Sequence, residues 1–171
     1  VRIEIDKLEG TQGRFARAYG SEELALDDDR ACLIAAPQVS GSVSRDRNQL
    51  ILRGRLAAVA QVECDRCLQP VDVPVNVEFN LRYVTAAEYA SLHAAELEDE
   101  DLALSVFDGE VIDVDELARE QILLAVPLRA LCRPDCKGFC PECGADRNLK
   151  DCGCQTAEVD ARWAELKNLG F

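Results

Sequence analysis

Apolar and polar residues alternate with a period of two through most of the first hundred positions, as half-buried strands require. "RIEI" alternates, and "RFARAY" (Arg14 to Tyr19) does so loosely. "QVSGSVSR" leads through the polar "DRNQ" into "LILRGRLAAVAQVEC", a pattern that predicts a long hairpin. After Pro70, residues Val71, Val73, Val75, Val77 and Phe79 share one strand face, and Asp72, Asn76, Glu78 and Asn80 share the other. Pro74 predicts an edge or a bulge within that strand.

The period then lengthens. "TAAEYASLHAAEL" opens with a Thr85-x-x-Glu88 capping box, and an acidic stretch from Glu96 to Asp101 reads as an exposed loop. "LALSVFDGEVIDV" predicts a short hairpin about Asp108-Gly109. Asp113 and Glu116 form a second box, from which a helix runs to Pro127 with Val114, Leu117, Gln121, Ile122 and Leu124 along its stripe. "TAEVDARWAELKNLG" predicts a last helix with Val159, Trp163 and Leu166 on one face, ending near Gly170. The expected class is α+β: an antiparallel sheet or small open β-barrel with a few helices and a C-terminal cysteine-rich zinc ribbon. The expected division is a β-rich body with two helices, residues 1–130, and a cysteine-rich segment with its helix, residues 131–171. Cys64 and Cys67 are expected to pack the two as one unit.

At 171 residues and 48% hydrophobic content the chain can build a substantial core. It shows no apolar run near the roughly 18 residues of a membrane span, and its opening has no signal-peptide core. With no methionine anywhere, removal of an initiator is expected, and the placement expected is cytoplasmic. In that compartment clustered thiols serve metals or redox chemistry more often than disulfides. The formal charge of −13 disfavours general polyphosphate binding and suits a basic partner.

Nine cysteines give the chain its most specific signal. Cys64 and Cys67 form a C-x2-C pair; Cys132, Cys136, Cys140, Cys143, Cys152 and Cys154 follow as C-x3-C-x3-C-x2-C-x8-C-x-C. A C-x2-C turn supplies two corners of a zinc tetrahedron, with sulfurs about 2.3 Å from the ion. In "CPECG", Pro141 and Gly144 suit such a knuckle; "CDRCL" lacks both cues. Loop economy favours one quartet of Cys140, Cys143, Cys152 and Cys154 and another of Cys64, Cys67, Cys132 and Cys136. The rival grouping joins Cys132, Cys136, Cys140 and Cys143 and sends Cys152 and Cys154 to the distant knuckle. Cys32, in "ACLIAAP", is expected in the core.

All-sulfur sites leave no open position for water, so one or two structural zinc ions are expected. A redox switch that ejects the metal, or an iron–sulfur cluster, would use the same thiols. No phosphate-binding loop, nucleophile elbow or H-E-x-x-H motif is present, and no enzyme is expected. His93, the single histidine, reads as structural, and the Asp27 to Asp29 run as a solvated face. Arg45, Arg47, Arg53 and Arg55 on the hairpin arms, with Arg66 in the first knuckle, are candidate RNA contacts, or simply charges guarding an exposed edge.

The order of "VECDRCLQPV", the helix "IDVDELAREQILLAVPL", then "LCRPDCKGFCPECGADRN" with a trailing "CGC" resembles the YceD family, named for large ribosomal RNA subunit accumulation. The resemblance runs from about Gly54 to Cys154. It implies a non-catalytic role in making or retaining large-subunit rRNA, with that RNA or a precursor ribosomal particle as partner. The family's gene commonly neighbours that of a small basic large-subunit ribosomal protein, which implies a second partner for an acidic chain. The cysteines vary among family members, which implies a stabilising metal. The alternative from the thiols alone is a redox-switched zinc chaperone.

Overall fold

The computed structural model of the chain describes residues 2–5, 11–20, 22–46, 49–92, 104–107 and 110–154. The last helix, His93, Arg47, the acidic stretch 96–101 and the Asp108-Gly109 turn lie outside them. The elements in chain order are β1 (Arg2–Glu4), β2 (Gln12–Ala18), β3 (Ala31–Asp46), β4 (Gln49–Glu63), β5 (Pro70–Thr85), α1 (Ala86–Leu92), β6 (Leu104–Phe107), β7 (Val111–Asp113) and α2 (Val114–Ala125).

A five-stranded open sheet of order β2-β3-β4-β5-β6 dominates, and β1 pairs with β7 in a small second sheet. The long hairpin forms as expected, with β3 and β4 antiparallel from Asp46↔Gln49 to Ala31↔Val62. Alternation then decides the two faces. Val39, Val43, Leu50, Leu52, Leu56, Val75 and Phe79 are buried on the inner face, whereas Ser42, Arg53, Arg55, Asn76, Glu78 and Asn80 are exposed on the outer. Pro74 pairs with Val59 in unbroken register; β6 flanks β5 only from Arg82 to Thr85, so at Pro74 the missing N–H falls on an edge.

One row across the sheet contains no inner-face side chain in its two middle strands: Phe15 lies opposite Gly41, Gly41 opposite Gly54, and Gly54 opposite Phe79. A Cβ on Gly54 would come within 2.5 Å of the Ser40 carbonyl oxygen and 2.6 Å of the Phe79 ring. The two rings therefore close over the glycines from either side.

Two local expectations are corrected. "LALSVFDGEVIDV" is not a hairpin: β6 pairs in parallel with β5, and β7 pairs antiparallel with β1. Tertiary pairing overrides the turn signal. Cys32 is exposed, because Ala31 points inward and its neighbour outward, where its Sγ lies 3.8 Å from the Gln61 carbonyl oxygen.

The helix predicted after Asp113 is α2. The Asp113 carboxylate accepts from the backbone N–H of Asp115 at 2.9 Å and Glu116 at 3.4 Å. Val114, Leu117, Ala118 and Ile122 are buried, and the helix packs against β4 and β5. Burying Leu117 and Ile122 contributes roughly 1.5–3 kcal/mol each. Leu124, expected on the stripe, is 72% exposed, since Ala118 takes its place in the spacing. Val126 is extended, as a residue before proline prefers, and ends the helix. Tyr19 donates its hydroxyl to the Asp115 carboxylate at 2.8 Å, and Arg119 donates to the Ala25 carbonyl at 2.7 Å. Asp28 accepts from the N–H groups of Arg30 and Ala31, so one member of the aspartate run caps the start of β3.

Candidate metal centres and basic sheet face

The turn between β4 and β5 and the segment after α2 meet at four cysteines, Cys64, Cys67, Cys132 and Cys136, whose sulfurs all lie within 4.8 Å of one another. Cys140, Cys143, Cys152 and Cys154 form a second such group. These are the quartets of the first grouping above. A tetrahedron with 2.3 Å metal–sulfur bonds has edges of about 3.8 Å. The sulfurs of Cys67 and Cys132 are 3.6 Å apart, and those of Cys64 and Cys136 are 3.9 Å apart. Such spacing is far too long for disulfides and fits a bound tetrahedral ion.

The two knuckles are built alike. Cys64 N–H donates to Gln69 O at 2.8 Å and Leu68 N–H to Cys64 O at 2.9 Å; Cys140 N–H donates to Ala145 O at 2.8 Å and Gly144 N–H to Cys140 O at 2.9 Å. The residue after the second cysteine is left-handed in both, with φ of 70° at Gly144 and 58° at Leu68. Glycine does this without strain and leucine does not. The first knuckle therefore adopts the same geometry without the proline and glycine cues of the second.

Residues around the first quartet lock it in place. Asp65 N–H donates to Ala130 O, and Ala130 N–H donates to the Asp65 carboxylate, both at 2.9 Å. Arg66 donates its guanidinium to Cys136 O, while its own carbonyl accepts from Phe139 N–H at 3.0 Å. Gly138 is left-handed there, and a Cβ on it would lie 2.5 Å from the Arg66 carbonyl oxygen. Asn148 joins the ribbon to the first quartet: its amide nitrogen lies 3.5 Å from Cys136 Sγ, and its oxygen accepts from Arg133 at 2.7 Å and Lys137 N–H at 2.8 Å. Asp65 and Asn148 were not singled out in the sequence; only contact across the fold distinguishes them from ordinary loop residues.

The two centres differ in depth. Cys64, Cys67 and Cys136 are buried, with Cys132 exposed; in the second group only Cys140 is buried. Burial opposes ionisation of Cys64, but backbone N–H groups of Cys132, Arg66 and Cys67 bring its thiol down to about 6. Burial and the neighbouring thiols of Cys67, Cys136 and Cys64 push Cys132 up to about 12. In the second group, the N–H groups of Cys143 and Glu142 bring Cys140 down to about 7, while the Cys143 and Cys152 thiols push Cys154 up to about 12. Each quartet thus has one sulfur that ionises readily, and a cation would complete the set.

The candidate arginines separate. Arg53 and Arg55 stand together on the outer face of β4, and Arg53 donates to the Asn80 amide oxygen at 3.2 Å. Arg45 opposes Leu50 and so falls on the other face, and Arg66 serves the first knuckle. Register adds Arg14, which opposes Ser42 as Ser42 opposes Arg53. An open groove of about 690 Å³ runs over this region, lined by Ser40, Gly41, Arg53, Gly54, Arg55, Glu78, Phe79 and Asn80. A second groove of about 590 Å³ is bounded by Tyr83, Phe107, Glu116 and Glu120 among others. Burial, with Glu120 and Glu116 nearby, pushes the Tyr83 phenol up to about 12. Among the described residues no helix is long and apolar enough to cross a membrane.

The family model described as "Large ribosomal RNA subunit accumulation protein YceD" matches residues 52–170. An uncharacterized protein of Mycobacterium tuberculosis strain H37Rv is 33% identical over 117 residues, which cover 68% of this chain and 54% of that relative. The protein named large ribosomal RNA subunit accumulation protein YCED homolog 1, chloroplastic, of Zea mays is 30% identical over 145 residues, covering 71% and 49%. The uncharacterized protein YlbN of Bacillus subtilis is 26% identical over 137 residues, covering 80% and 75%. The chain spans about half the length of the mycobacterial and maize relatives. No solved structure matches.

Proposed function

Because the chain belongs to the YceD family, we propose that it is a non-catalytic factor that supports accumulation or processing of large-subunit rRNA. The observation that carries this reading is the match over residues 52–170, which takes in both cysteine quartets and Arg53 and Arg55 of β4. The plant relatives' names place their role with large-subunit rRNA. The site reads as architecture: both sulfur quartets are complete four-ligand sets, which bind zinc without an open position for substrate water. In this reading two zinc ions staple the segment after α2 to the sheet, as one unit through Cys64 and Cys67. The sheet meets an rRNA precursor in the cytoplasm, and the acidic remainder suits a small basic ribosomal protein. Depletion of the protein from growing cells tests the role. The ratio of large- to small-subunit rRNA is expected to fall; an unchanged ratio on full depletion contradicts the proposal.

The alternative, a redox-switched chaperone, draws support from one observation: both quartets contain exposed cysteines that an oxidant could reach. It requires zinc release at mild peroxide together with suppression of client aggregation.

A further inference from the structure

We propose that the outer face of the large sheet, centred on Arg14, Arg53 and Arg55, binds the ribose-phosphate backbone of base-paired RNA independently of its sequence. The inference rests on the rRNA reading above and assigns its contact surface and ligand class.

Position makes the first argument. Arginines on an exposed edge strand would only guard that edge. Arg53 and Arg55 instead lie on β4, the middle strand of five, where both neighbours satisfy the backbone. Edge protection does not explain them. Register puts Arg14 in the row of Arg53, with exposed Ser42 between them, so positive charge spans three strands. The chain as a whole carries −13, so polyphosphate binding requires a local group of cations such as this one.

The chemistry of the face selects the ligand. Single-stranded RNA is read by stacking bases on aromatic side chains. Here the rings of Phe15 and Phe79 turn to the inner side, packed beside Gly41 and Gly54. Around the arginines the outer side carries guanidinium, hydroxyl and amide groups, from Arg53, Arg55, Ser42 and Asn80, with the Glu78 carboxylate beside Arg55 and Asp72 farther along β5. Guanidinium pairs with phosphate, and hydroxyl or amide groups can donate to or accept from a 2′-hydroxyl. A duplex offers both along its minor groove, where shape matters more than sequence. The groove of about 690 Å³ lies between Arg53 and Arg55, where such a backbone would seat. Glu78, opposite Arg55, is the one acidic group in that lining.

The test is equilibrium binding of the zinc-loaded full chain to two unrelated RNA duplexes of about 16 base pairs, measured across a salt series. Three phosphate contacts give a slope of log K on log salt of about −2.7, or roughly fortyfold weaker binding from 50 to 200 mM salt. Arg53→Gln and Arg55→Gln should each flatten the slope by about one unit, whereas Arg129→Gln, with the same charge change elsewhere, should leave it unaltered. Glu78→Gln should tighten binding, a gain that a folding defect cannot mimic. Equal binding of both duplexes supports the proposal. Failure of the wild-type chain to bind either duplex, or equal effects of all three arginine variants, overturns it. So does retention of an acidic protein, but not RNA, on the Arg53/Arg55 face. The cellular role fails separately: variants that lose duplex binding yet sustain normal large-subunit rRNA would leave the face standing and refute the rRNA reading.

Discussion

Among the described residues, Leu68 is the one whose conformation most resists its own chemistry. It is left-handed at φ 58° and 59% exposed, so little burial rewards the strain. The equivalent position in the second knuckle is Gly144. Leu68→Gly should therefore raise stability by about 0.5–1 kcal/mol in denaturant unfolding of the zinc-bound chain, despite glycine's larger unfolded-state entropy. Asn148 acts at the same scale through one hydrogen bond to Cys136 Sγ and two accepted from the loop. Asn148→Ala should weaken metal binding at the first quartet by roughly 10- to 100-fold in competition with a chromophoric chelator. The grouping of eight cysteines into two quartets was legible from C-x2-C spacing and loop length. Asn148 was not, because a polar residue between two cysteines looks the same whether it faces water or a sulfur. Cys32 was misread for a related reason: its neighbours are apolar, but alternation sends it outward.

At the scale of elements, local signals succeeded where the interaction is local. The first capping box forms, with Thr85 N–H donating to Glu88 Oε2 at 3.1 Å and Glu88 N–H to Thr85 Oγ1 at 3.4 Å, and at the second the Asp113 carboxylate caps α2. Asp113→Ala should cost about 1 kcal/mol, measured by thermal or denaturant unfolding, with α2 losing hydrogen-exchange protection first. The two faces of β4 and β5 were equally readable, because period-two alternation reports burial directly. What failed was pairing. The Asp-Gly signal before β7 predicted a hairpin, but β6 joins the large sheet in parallel and β7 joins β1. Pairing of that kind depends on partners far away in sequence, which a local pattern does not encode. The Phe15-Gly41-Gly54-Phe79 row likewise emerges only when four strands are in register.

Across the whole molecule, the first quartet joins the β4–β5 turn to the chain that leaves α2, and the second closes a ribbon beyond it. Their depths order the loss of metal. Chelation should strip the more exposed second centre first, and release of the second ion should coincide with protease sensitivity of residues 130–154. Simultaneous loss of both ions with no change in proteolysis would contradict this staple. Acid should act in the same direction. The thiols of Cys132 and Cys154, pushed up to about 12, must lose their protons to bind a metal, so affinity falls as pH falls. Native mass spectrometry across a pH series reads that release. The proposed rRNA role rests on the family match, and the exposed Arg53 and Arg55 on the outer side of β4 support it. The measurement that tests it most directly is affinity capture of the tagged protein from growing cells, with bound RNA sequenced and bound proteins identified together. The account predicts enrichment of large-subunit rRNA precursors. Capture of a broad set of unfolded proteins, with no enrichment of ribosomal RNA or ribosomal proteins, would contradict it.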